Sequence, residues 1–159
     1  MDKLEWLTKL FYDIGKQKND FYLSGMTKDS DGNIRSTKWR KFSEAVFPLD
    51  AGDAWKLNRI NQRQILPNEV VLDLEERGSI DWVVDTLKSW RVIFKVFDTG
   101  SRGFHVSAFF NRDLTPEEKI AVIRYFGADE QKAGKKTMIA LEYCPHWKSG
   151  KIKEEVGYA

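Results

Sequence analysis

The chain has 159 residues, 42% hydrophobic and 31% charged, enough apolar material for one folded domain with a core, which excludes disorder and fibrous repeats as descriptions of the whole. The net charge is +2, so any attraction for a polyanion must be local. A lone cysteine, Cys144, excludes an internal disulfide; two histidines are too few for most imidazole-built zinc sites; and no run reaches about 18 apolar residues, so a reducing, intracellular setting without signal peptide or membrane span is expected.

Leu4, Leu7, Leu10, Phe11 and Ile14 recur at helical spacing behind Asp2, with Gly15 as the stop, which predicts an opening amphipathic helix. Residues 21–42 read as two extended runs around the turn-rich segment 29–33, and Ala54, Leu57 and Ile60 predict a helix before Pro67. From Arg35 to Arg63 seven basic residues face three acids, with Trp39 and Phe42 interleaved. Lys38, Trp39, Arg40, Lys41, Arg59 and Arg63 therefore form a candidate nucleic-acid track.

From Glu69 the pattern sharpens. Residues 69–75 read as a strand, and Ile80, Val83, Val84 and Leu87 as the stripe of a helix with Ser79 as N-cap. Two strands, 91–98 and 104–110, pair as a hairpin about the turn 99–103. Thr115-Pro116-Glu117-Glu118 is a capping box that opens a helix ending at Gly127. A fourth strand, 137–143, stops at Pro145, and a short strand after Lys148-Ser149-Gly150 extends the sheet. The order strand, helix, strand, strand, helix, strand is the split βαβ pattern. It predicts an α+β fold, a ferredoxin- or RRM-like βαββαβ palm at 69–159 packed against an N-terminal α/β subdomain at 1–68, the two forming one domain. In that topology the first strand lies between the third and fourth, bringing Asp73, Glu75, His105 and Glu142 onto three neighbouring strands.

Asp73 and Glu75 stand two apart on a strand, so both carboxylates project from one face. Like charges so placed repel unless they point into water or share a divalent cation, and hard cations such as Mg²⁺ prefer carboxylate oxygens. Glu142, the lone acid of an apolar strand, would complete a trio. Phe104, Val106, Ala108 and Phe110 form the apolar face of the third strand, leaving His105, Ser107 and Phe109 on the carboxylate side. The loop Gly100-Ser101-Arg102-Gly103 can offer backbone N–H groups, the Ser101 hydroxyl and the Arg102 guanidinium to phosphate oxygens. Metal-binding acids beside a phosphate-binding loop suggest nucleotidyl transfer.

Val71-Leu72-Asp73-Leu74-Glu75, Thr99-Gly100-Ser101-Arg102-Gly103-Phe104-His105 and Ile139-Ala140-Leu141-Glu142 resemble the three motifs of the archaeo-eukaryotic primase superfamily, and the Asp-x-Glu form looks most like its primase-polymerase branch. The resemblance covers roughly the last ninety residues. It implies that Asp73, Glu75 and Glu142 are catalytic ligands of two divalent cations, Mg²⁺ or Mn²⁺, and that His105 contacts the incoming triphosphate. The third acid is often Asp in that family, where this chain has Glu142. Cys144 and His146 lack two further ligands for a zinc site and read as a strand end; His146, with Lys148, Lys151 and Lys153, lines the site as further anion contacts. The implied partners are a DNA template and primer and nucleoside triphosphates, with a helical accessory domain or replication partner for initiation.

Two other classes fit the same element order. One is an RNA-recognition module, because Arg102-Gly103-Phe104-His105-Val106-Ser107-Ala108-Phe109 loosely resembles its third-strand signature. Its stacking positions would fall at Phe104 and Val106, on the apolar face. The other is a catalytically idle primase-like subunit that binds nucleic acid.

Overall fold

Asp2 accepts the backbone N–H of Glu5 and caps helix α1 (Lys3–Lys9), which continues as a π-helical turn over Leu10–Ile14; Trp6, Leu7 and Leu10 are its buried residues. The structure, a computed structural model, describes residues 1–14, 20–46, 58–75, 77–99, 103–130, 133 and 137–157. Among these the further elements, in chain order, are β1 (Tyr22–Ser24), β2 (Met26–Lys28), β3 (Ile34–Ser36), β4 (Arg40–Lys41), α2 (Phe42–Val46), β5 (Gln62–Gln64), β6 (Glu69–Leu74), α3 (Arg77–Ser89), β7 (Ile93–Asp98), β8 (Phe104–Phe109), α4 (Pro116–Tyr125), β9 (Met138–Ala140) and β10 (Glu154–Val156). They fall into two compact units, Met1–Gln64 with Met138–Lys153, and Ile65–Thr137 with Glu154–Ala159. Residues 65–68 thus group with the second unit and residues 138–153 with the first.

The first unit is built on an antiparallel sheet of order β4-β1-β5-β9, in which Leu23 opposes both Arg40 and Arg63, and Arg63 opposes Ile139. Phe21 and Phe42 stack at 5.3 Å and are buried with Leu23. The strands β2 and β3 pair as an exposed hairpin around the 29–33 turn. The helix expected over Ala54, Leu57 and Ile60 lies largely outside the described residues, as does Gly15.

The second unit carries an antiparallel sheet of order β10-β7-β8-β6. Alternation along the strands puts Val70, Leu72, Leu74, Val96, Val106 and Ala108 on one face, packed with Ile80, Val83, Val84 and Leu87 of α3 and with Ile123 and Phe126. The final strand extends this sheet beside β7, as the sequence predicts. Two expectations fail. Helix α3 begins at Arg77, so Ser79 lies inside it and is not its cap. The fourth strand of the predicted palm, β9, pairs with β5 in the other sheet, and β6 is an edge strand bonded to β8 alone among the described strands. The molecule is therefore a mixed α/β fold with antiparallel sheets that departs from the ferredoxin-like strand order. No helix among the described residues is long and apolar enough to cross a membrane.

The capping box of α4 forms in full: Thr115 accepts from the Glu118 N–H at 3.2 Å and the Glu118 carboxylate accepts from the Thr115 N–H at 3.1 Å. Thr115→Ala is expected to lower unfolding free energy by about 1 kcal/mol, read by urea titration.

Candidate active site

The β6/β8 register places Asp73 directly opposite His105, and the β7/β8 register places His105 opposite Phe97. Directly opposed residues share a face, so Asp73, His105 and Phe97 lie on the side of the sheet away from its helix-packed core. Asp73 Oδ2 stands 3.8 Å from His105 Nε2, beyond hydrogen-bond length but close enough for an ion pair with a protonated imidazole. The Asp73 side chain is 32% exposed, Glu75 is exposed, and His105 is buried.

One row further along this face Lys95 opposes Ser107 and Ser107 opposes Val71. Lys95 pairs with Glu155 of β10 at 2.9 Å. The Ser107 hydroxyl is buried with no hydrogen-bond partner among the described residues. Sequence reading passed over Lys95, although a single cation in Ile93-Phe94-Lys95-Val96-Phe97 is the kind of signal that marks the polar side of a strand.

Gly103, which leads into β8, lies against the end of β6. Gly103 adopts a positive φ of 79°, and a Cβ built there would stand 2.3 Å from the Leu74 carbonyl oxygen and 2.9 Å from Glu75 Cα. The loop is pinched at its base, where the Thr99 N–H and hydroxyl both donate to the Gly103 carbonyl, at 3.4 and 3.2 Å. Only glycine allows this approach of backbone to backbone. Gly103→Ala is expected to cost about 2 kcal/mol or more in stability, measured by urea unfolding, and to displace the Glu75 amide resonance. Ser101 and Arg102 lie outside the described residues.

Carboxylate oxygens from Asp73 and Glu75, presented near the surface from one strand end, suit a hard divalent cation. Mg²⁺ is commonly held by one or two carboxylates together with substrate phosphates. No cluster of three or more His, Cys, Asp or Glu side chains able to hold an ion stands among the described residues. The pair fits a cation that arrives with phosphate oxygens rather than one enclosed by protein ligands alone.

Glu142, the third expected metal ligand, has close partners of its own. It lies in the first unit, beyond the end of β9, fully buried. Arg63 donates to its carboxylate from Nη2 at 2.7 Å and from Nε at 3.0 and 3.1 Å, and Trp6 Nε1 donates at 3.1 Å. Lys153 Nζ stands 3.6 Å away and donates to the Ala140 carbonyl at 3.0 Å. Burial alone would push the Glu142 carboxyl up; the Arg63 guanidinium and Lys153 ammonium outweigh it and hold it at about 2. Its oxygens are thus committed to a buried ion pair. The same geometry removes Arg63, also fully buried, from the expected nucleic-acid track. Lys153 is buried with them rather than lining a site as an anion contact.

The rest of the basic track lies on the surface of the first unit. Lys38, Arg40, Lys41 and Arg59 are exposed, and Trp39, itself exposed, packs its ring 5.9 Å from that of Tyr22. In the hairpin closed by Tyr143 and Lys153, His146 Nδ1 accepts the Lys148 N–H at 3.0 Å. Burial, with Lys148 and Lys153, holds the His146 pKa below its ordinary value, so at neutral pH it is an uncharged imidazole with Nε2–H free to donate. The Lys148 ammonium lies 5.0 Å over the Trp147 ring. Neither stacking position of an RNA-recognition signature lies on the face that carries Asp73 and His105: Val106 is buried in the helix-packed core and Phe104 packs against it.

This architecture has solved counterparts. The primase-polymerase AEP domain of cyanophage S-2L superposes with a TM-score of 0.59 at 17% identity over 98% of this chain and 88% of that one. The polymerase domain of Mycobacterium tuberculosis ligase D, solved in complex with DNA, gives 0.60 at 9% identity over 96% of this chain and 79% of that one. The chain therefore has a core fold like that of these archaeo-eukaryotic primase-type domains. No family model and no curated protein sequence matches it.

Proposed function

We propose that the chain is a template-directed nucleotidyltransferase, a primase-polymerase core that joins a 3′-hydroxyl to the α-phosphorus of an incoming nucleoside triphosphate and releases pyrophosphate. The observation that carries this reading is the opposition of Asp73 and His105 at the strand ends, where Gly103 packs against Leu74 and Glu75. Asp73 and Glu75 would hold the divalent cations, Mg²⁺ or Mn²⁺, which supply a lowered pKa for the attacking hydroxyl and charge for the triphosphate.

The remaining roles belong to this chain's own groups. His105 donates its imidazole N–H to a phosphate oxygen. Ser101 and Arg102 supply a hydroxyl and a guanidinium to the same phosphates, and His146 and Lys148 further anion contacts. Lys38, Trp39, Arg40, Lys41 and Arg59 hold the template strand by charge and stacking, and sequence choice comes from base pairing. An intracellular setting and a helical accessory partner for initiation complete the proposal.

The commitment of Glu142 to Arg63 favours a second reading, a primase-like subunit that binds nucleotide or single strands without catalysis. Extension of a labelled primer on a DNA template, with ribo- and deoxyribonucleotides in Mg²⁺ and in Mn²⁺, separates the two. Templated extension is expected; its absence in a folded protein that binds single strands would establish the second reading instead.

A further inference from the structure

The registers of the second sheet set Asp73, His105 and Phe97 in one row across β6, β8 and β7, and the β10/β7 register adds Glu155 opposite Phe97. Neighbouring strands stand about 4.8 Å apart, so the row runs roughly 14 Å from β6 to β10. Lys95, two residues before Phe97, shares this face one row away. Its ammonium nevertheless meets the Glu155 carboxylate at 2.9 Å, which brings it to the Phe97–Glu155 end of the row that Asp73 begins. Both partners reach solvent, the Lys95 side chain at 19% exposure and that of Glu155 at 38%. Phe97 is buried, as are Ser107 and Val71 in the row that Lys95 leaves behind.

Two points in this row fix a direction. If the reacting α-phosphate sits with the cations at Asp73 and Glu75, and His105 takes a phosphate oxygen one strand further on, the polyphosphate runs along the row away from β6. The next side chain, Phe97, offers no polar atom, and the next cation is Lys95. The terminal phosphate, farthest from the reacting phosphorus, is the part of the substrate that this direction brings to the ammonium. The pair with Glu155 does not stand in the way. An ion pair whose members both reach solvent contributes little, whereas a lysine gains a charge-assisted hydrogen bond from phosphate oxygens. Glu155 stands on the three-residue edge strand β10, which bonds to β7 alone among the described strands, so its carboxylate can turn to water when the lysine leaves it. Before nucleotide arrives, the same carboxylate keeps Lys95 extended along the row. A diphosphate, one phosphate shorter, ends before it.

We propose that Lys95 binds the terminal phosphate of the incoming nucleoside triphosphate and that Glu155 is the counter-ion it exchanges for that phosphate, an inference that rests on the primase-polymerase reading. The full chain is titrated calorimetrically with dTTP and with dTDP in Mg²⁺, without primer or template, so that binding is read apart from catalysis. Lys95→Met should weaken dTTP about tenfold and change dTDP by less than about twofold. In primer extension the same variant should raise KM for dTTP about tenfold with kcat within about twofold of wild type. Lys95→Arg should keep dTTP affinity within about threefold, since the charge remains. Glu155→Gln, which releases the lysine, should tighten dTTP about threefold, opposite in sign to Lys95→Met. A pair that only ties β7 to β10 would move both variants the same way. Should Lys95→Met perturb folding, Glu155→Gln at the sheet edge carries the test. With wild type binding dTTP, an unchanged affinity in Lys95→Met, equal changes for dTTP and dTDP, or weaker binding by Glu155→Gln would each overturn this proposal alone. Wild type that binds neither nucleotide would overturn it together with the primase-polymerase reading.

Discussion

Asp73→Ala/Glu75→Ala is expected to lower templated primer extension by about three orders of magnitude, equivalent to roughly 4 kcal/mol of transition-state stabilisation, with stability changed by less than about 1 kcal/mol. The asymmetry follows from placement. Asp73 is partly exposed and stands 3.8 Å from His105, and Glu75 is exposed at a strand end. Both carboxylates reach solvent, so the fold loses little when both go. Primer extension alongside thermal unfolding of the same preparations checks both halves; activity retained at wild-type rate would remove the carboxylate pair from the reaction.

Glu142→Gln should behave in the opposite way. Removing one partner of a buried ion pair strands the other charge, here Arg63, at a cost of about 3–5 kcal/mol, read by urea unfolding. Arg63→Met/Glu142→Leu, which removes both charges, should cost much less than the sum of its parts. Activity per folded molecule should survive Glu142→Gln, whereas a metal ligand would lose it. The ion pair also sets an acid limit. Because the Glu142 carboxyl sits at about 2 when folded against 4.5 ordinarily, its contribution is complete above pH 4.5 and is lost as pH falls toward 2. About 3 kcal/mol of stability is expected to disappear across that window in wild type, and to be missing from the pH profile of the Arg63→Met/Glu142→Leu variant.

The opposition of Asp73 and His105 was legible because period-two alternation fixes which residues share a face, and the split βαβ order sets the first and third strands, β6 and β8, side by side. The α4 capping box was legible because every hydrogen bond in it is local. The place of Met138-Ile139-Ala140-Leu141 was not. An apolar strand states that it is buried, and nothing in its own residues says which sheet receives it. The partner that settles the matter, Arg63, is 79 positions away and reads in sequence as one more cation of a basic stretch. Motif resemblance supplies one role for Glu142, and the buried pair with Arg63 supplies another.

Neither compact unit is a contiguous piece of chain, and this shapes how the protein is made. As synthesis proceeds, Arg63 emerges long before Glu142 and Lys153, and β7 long before the edge strand β10 that pairs with it. Both units stay incomplete until the closing stretch of some twenty residues has left the ribosome, so the contacts that lock them are the most distant in sequence and the slowest to find one another. A nascent chain paused at residue 137 would hold an unneutralised guanidinium in one unit and an open sheet edge in the other. That leaves it a client for chaperones, with neither half able to mature ahead of the other.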